Sequence, residues 1–67
     1  MAISYEKLWK KVEKKKMKKQ DFQNALGMSS STVAKLTNNK PVTLEVLERV
    51  CSEFNCNIGD IMEFVKE

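Results

Sequence analysis

Gly27 falls between two stretches of helix-spaced apolar residues, and its position constrains the fold more than any other feature of the chain. Phe22, Ala25 and Leu26 share one side of a helix that the spacing predicts over 18–26. A glycine at the next position supplies the left-handed backbone that ends a helix, because it has no Cβ to meet the neighbouring carbonyl. Met28 is then an isolated apolar residue. Ser29 opens a further helix as its N-cap, with Val33 and Leu36 three apart on the inner face. Asn38 and Asn39 end that helix, since Asn tolerates positive φ better than other non-glycine residues.

The flanking segments read as helices too. Tyr5, Leu8, Trp9 and Val12 recur at three and four residues, predicting a first helix over 4–16 with Ser4 as N-cap and lysines crowding its negative C-terminal end. Lys40-Pro41-Val42 is a connector. Thr43 caps a fourth helix over 43–54, in which Leu44, Leu47, Val50, Cys51 and Phe54 line one stripe. Asn57 caps a last short helix carrying Ile58, Ile61, Met62 and Val65, the expected lid on the core. With no strand pattern in view, the expectation is an all-α fold of five helices in one domain spanning 1–67.

A domain of 67 residues buries only about 60% of the surface its unfolded chain exposes, so disulfide, metal or partner supports matter. Cys51 and Cys56, with no histidine anywhere, build neither a four-ligand zinc site nor a CxxC redox pair. They read as a disulfide or redox switch, or as two buried thiols acting as small apolar groups. Composition favours the second reading and with it a reducing, cytoplasmic setting. No secretory signal is visible, and no apolar stretch approaches the roughly 18 residues of a membrane helix. No cofactor and no small-molecule substrate is implied.

Charge divides the chain. Residues 1–40 hold ten lysines against three acids, a net +7, whereas residues 41–67 hold two basic side chains against six acidic ones, a net −4. Eight of the lysines lie between Lys7 and Lys19. Such a density attracts a polyphosphate backbone through counterion release, although a lysine run alone equally describes a solvated helix face, an RNA site or a membrane-surface site.

The neighbouring segment gives the lysines weight. From Lys19 to Asn38 it has the helix, glycine turn and helix of a helix-turn-helix, and Phe22, Leu26, Met28, Val33 and Leu36 point inward if the helices cross steeply at Gly27. The first turn of the second motif helix is then exposed and polar: Ser30, Ser31, Thr32 and, one turn on, Lys35.

Through Leu-Gly-Met-Ser-Ser-Ser-Thr-Val-Ala-Lys-Leu, residues 26–36, the chain resembles lambda-repressor-like (Xre/Cro) helix-turn-helix regulators over nearly its whole length. The resemblance implies a compact five-helix DNA-binding domain whose third helix enters the major groove. It places Ser30, Ser31 and Lys35 at base edges and Lys18, Lys19, Ser29, Thr32 and Asn38 at phosphates. Two positions depart from the family pattern. Gln23 stands where a small residue lets the helices approach, so either its amide passes to solvent or the crossing is looser. Asn39 stands where glycine is common.

Tyr5, Trp9, Met17 and Met28 read as core packing rather than as base-stacking groups, while Phe64 and Val65 either close the core or form a subunit contact. The function expected is sequence-specific binding of double-stranded DNA by a homodimeric transcriptional regulator, with repression the favoured mode and activation left open by the sequence. The alternative is a protein-interaction module, antitoxin-like or antirepressor, that keeps the fold without reading bases and uses its acidic C-terminal half. No set of side chains can be assigned as acid, base and nucleophile, so an enzyme is not expected.

Overall fold

The computed structural model describes residues 1–66. In chain order these form β1 (Ala2–Ser4), α1 (Glu6–Lys14), α2 (Lys19–Leu26), α3 (Ser30–Thr37), α4 (Leu44–Phe54), a 3-10 turn (Ile58–Asp60) and β2 (Glu63–Val65). Among the described residues there are four α-helices rather than the five expected, and an antiparallel pair of strands where none was expected.

Four left-handed residues punctuate the helices: Lys16 (φ 56°), Gly27 (φ 62°), Asn39 (φ 56°) and Asn55 (φ 51°). After each, the following N–H reaches back five residues. Met17 donates to Val12 O (3.2 Å), Met28 to Gln23 O (3.1 Å), Lys40 to Lys35 O (2.8 Å) and Cys56 to Cys51 O (3.0 Å). This is the long bond of a Schellman motif, and it satisfies a carbonyl that the helix end leaves without a partner. The left-handed turns at Gly27 and Asn39 agree with the sequence reading. Lys16 does not, because a lysine carries no signal for that conformation; it ends α1 at Lys14, short of the expected residue 16.

At the helix starts, Ser29 Oγ accepts the Thr32 N–H and Thr43 Oγ1 accepts the Val46 N–H, each at 3.3 Å, as the sequence indicated. The start of α1 differs. Ser4 lies in β1 paired with Glu63, so its extended backbone is committed to the sheet and the helix begins at Glu6. Its hydroxyl still accepts the Glu6 N–H at 3.3 Å, and the Leu8 N–H finds the Ile61 carbonyl at 3.2 Å.

The expected last helix shrinks to the 3-10 turn. Asn57 Oδ1 accepts the Ile58 N–H (2.7 Å) and Asp60 Oδ2 accepts the Asn57 N–H (3.0 Å), closing a tight box. Beyond it Ile61 is held by α1 and the chain extends into β2, with Ala2, Ile3 and Ser4 opposite Val65, Phe64 and Glu63. Three-residue strands are too short to display a period of two, and their pairing joins opposite ends of the chain.

Phe22 is wholly buried at the centre of the core. The Trp9 ring meets it edge-on at 5.4 Å and Phe54 stacks against it at 6.2 Å. Tyr5, Leu8, Val12, Met28, Val33, Leu36, Leu47, Val50 and Ile61 complete the cluster, with Met17 packed against it. Burying each large apolar side chain stabilises by about 1.5–3 kcal/mol. Several expected core positions lie outside it. Leu44 is 76% exposed, because at the first position of α4 its side chain leans back past the core edge. Ala25 and Ile58 are exposed, and so are Phe64 (62%) and Val65, which excludes core closure for the last two. Cys51 and Cys56 are free thiols, half-buried rather than buried.

Candidate nucleic-acid interface

The turn between α2 and α3 follows from three adjacent residues. Gly27 (φ 62°, ψ 32°) reverses the chain, Met28 drops into the core, and Ser29 resumes extended backbone (ψ 158°) to cap α3. Val33 and Leu36 are buried, so α3 keeps a fixed rotation about its axis. Its other face carries Ser30, Ser31, Ala34, Lys35 and Asn38, all exposed, at the spacing of one helical side.

Among the described residues, the side chains of Ser30 and Lys35 make no hydrogen bond or ion pair within the chain. The others are partly engaged. Ser29 Oγ lies 3.1 Å from Ser31 Oγ and 3.0 Å from Thr32 Oγ1, so the three hydroxyls form one cluster at the start of the helix. Thr32 is half-buried rather than exposed. Asn38 donates one amide hydrogen to the Ala34 carbonyl at 2.9 Å, leaving the second outward. Ala34 sits in the middle of the exposed face and was not among the expected site residues. Helical arithmetic from Ser30 and Ser31 would have found it.

Lys18 is the N-cap of α2, where its N–H donates to Asp21 Oδ2 at 3.1 Å. Lys19 is next along the chain, its ammonium 5.2 Å from the centre of the Trp9 ring. The indole N–H of Trp9 in turn donates to the Leu36 carbonyl in the last turn of α3 at 3.2 Å. Lys19, Trp9 and α3 are thus one connected unit, which joins the lysine-rich junction of α1 and α2 to the exposed helix. Lys15 is held in a similar way, 4.9 Å over the Phe54 ring.

The end of α3 is fastened from the same side. Tyr5 donates its N–H to Asn39 Oδ1 (3.1 Å) and its hydroxyl to the Lys40 carbonyl (2.7 Å), and burial pushes the phenol up from its ordinary pKa. Gln23 lies half-buried beside the turn, which fits a stem passing between the helices with its amide toward solvent. Asn39 adopts the left-handed conformation that glycine supplies elsewhere.

A cluster of exposed polar groups on a rigidly seated helix, beside lysines, suits a polyanion with readable edges. A family model for the Cro/C1-type HTH DNA-binding domain matches residues 7–67. The chain belongs to this family. As a Cro/C1-type domain it is a DNA-binding module, and double-stranded DNA is its partner. It is similar to the solved structure of the transcriptional regulator VanUg, with a TM-score of 0.91 and 45% identity over 98% of this chain and 88% of that one. Comparison with curated proteins gives no match. Among the described residues of this Cro/C1-type domain, no helix is long and apolar enough to cross a membrane. Among the same residues, no group of three or more His, Cys, Asp or Glu side chains is placed to hold a metal ion.

Proposed function

We propose that the domain is a sequence-specific regulator, a repressor acting by occupancy of its site, which inserts α3 into the major groove. Ser30, Ser31 and Lys35 meet base edges there, the lysine donating to guanine O6 or N7. The Ala34 methyl lies between them and suits a thymine methyl. Lys18, Lys19, Ser29, Thr32 and Asn38 hold phosphates, helped by the positive ends of α2 and α3. One observation carries the reading: Ser30, Ser31 and Lys35 are exposed on a single face of a helix whose opposite face is locked into the core by Val33 and Leu36.

Pairing is part of the proposal, because two modules on a two-fold site multiply the limited affinity of one. Leu44, Ile58 and Phe64, exposed beside an apolar groove of about 360 Å³, supply surface for a second copy. Sedimentation with and without DNA checks the stoichiometry.

Selection of bound duplexes from random DNA, with the salt dependence of binding measured, tests the function. A selected consensus and a steep negative slope of affinity against salt are expected. Binding that shows the slope without any base preference would leave only charge attraction and sink the assignment of Ser30, Ser31 and Lys35.

A further inference from the structure

Cys51 and Cys56 stand on either side of the turn that closes α4. Asn55 is left-handed there, its N–H donates to the Ser52 carbonyl at 3.4 Å, and the Cys56 N–H donates to the Cys51 carbonyl at 3.0 Å. Those two bonds define a full Schellman motif, in which residues 51 and 56 are the pair whose side chains commonly meet. The corresponding pairs at the other three helix ends are Val12 with Met17, Gln23 with Met28, and Lys35 with Lys40. Only α4 places a thiol at both positions.

The 3.0 Å bond, with ordinary backbone bond lengths, holds the two Cα atoms within about 7 Å, inside the reach of a disulfide. Both thiols are free, and both residues are partly rather than fully buried. Neither lies on the α3 face, and DNA reading uses neither.

We propose that Cys51 and Cys56 form a reversible dithiol switch that hydrogen peroxide closes to an intramolecular disulfide across the C-terminal turn of α4. The Cys56 thiolate attacks one peroxide oxygen, the O–O bond breaks, and the departing hydroxide takes up a proton to leave as water. Cys56 is then a sulfenic acid. The Cys51 thiol gives up its proton and attacks the Cys56 sulfur, forming the S–S bond while the S–O bond breaks and a second water leaves. Two thiols are oxidised to one disulfide, and one peroxide is reduced to two waters. Burial first, then the Cys56 thiol and the Asp60 carboxylate, push the Cys51 thiol up, which suits it to the second step rather than the first. In a reducing compartment such a bond is transient, as a switch requires.

The test uses the whole chain, reduced and then exposed to hydrogen peroxide. Thiols counted after unfolding in urea are expected to fall from two to none, the mass to drop by two hydrogens, and a non-reducing gel to show only monomer. Dithiothreitol restores both thiols. In Cys51→Ser a sulfenic acid is expected at Cys56, trapped by dimedone, and Cys56→Ser is expected to oxidise more slowly than the natural chain. Interchain disulfides, sulfinic or sulfonic products without the internal bridge, or thiols that survive peroxide overturn the proposal. A Cys56→Ser chain that reacts as fast as the natural one overturns the order of steps.

Discussion

The indole N–H of Trp9 donates to the main-chain carbonyl of Leu36 across 3.2 Å, so the first helix supplies the bond that the last turn of α3 lacks. The same ring packs edge-on against Phe22 and lies under the Lys19 ammonium. Trp9→Phe keeps most of the apolar area and removes the donor. A loss of about 1–2 kcal/mol in urea unfolding is expected. An unchanged unfolding midpoint would mean that water replaces the bond at no cost.

Lys35 and Lys19 should separate under substitution. Lys35→Ala is expected to relax preference at one base pair, by about 1–3 kcal/mol of discrimination. Lys19→Ala is expected to weaken all duplexes alike and to lower the salt slope by about one. Binding measured on the selected site and its single-base variants at several salt concentrations distinguishes them. If Lys35→Ala and Ser31→Ala leave base preference intact, the domain works by contact with protein instead.

Gly27→Ala isolates the backbone term. A Cβ built at Gly27 meets nothing within 4 Å, yet the residue has φ 62°. The expected loss of about 1–2 kcal/mol therefore comes from the left-handed conformation alone. Thermal unfolding reads it as a lower midpoint, and Gly27→Asn should fall between the two.

Lys16 poses the reverse case, a lysine held at φ 56°. Lys16→Gly relieves that strain, partly offset by the greater freedom of glycine in the unfolded chain. A gain of up to about 1 kcal/mol is expected in urea unfolding. A loss would show that the Lys16 side chain stabilises the fold through contacts of its own.

Tyr5 gives the fold an alkaline limit. Burial raises its phenol above the ordinary 10.0, so the folded state holds the proton more tightly than the unfolded one. The resulting stability is complete below the unfolded pKa and is lost as pH rises through the folded one. Cys51, raised from 9.0, acts in the same direction. Unfolding followed from pH 7 to 11 should show a decline that begins between about 9 and 10. Tyr5→Phe should be less stable at neutral pH, having lost the bond to Lys40, and less sensitive to alkali.

Much of this protein is written locally. The helix-turn-helix follows from Gly27, the Ser29 cap and the spacing of Phe22, Val33 and Leu36, each an interaction within a few residues. The outward placement of Ser30, Ser31 and Lys35 follows once Val33 and Leu36 face inward. Thr43 and Asn57 cap where their side chains allow, although Asn57 opens a single turn rather than a helix.

Features whose partners lie within about one helical turn were therefore legible in the bare chain: the Ser29 and Thr43 caps, the left-handed stops at Gly27 and Asn39, and the inward face of α3. The pairing of β1 with β2, the exposure of Leu44 and Phe64, and the fastening of α3 by Tyr5 and Trp9 arise only in the folded whole. The strand pairing and the two fastenings join residues 27 to more than 50 positions apart, and no local period marks them. Their free energy depends on which surfaces the folded chain brings together, and that is set only when the whole core closes.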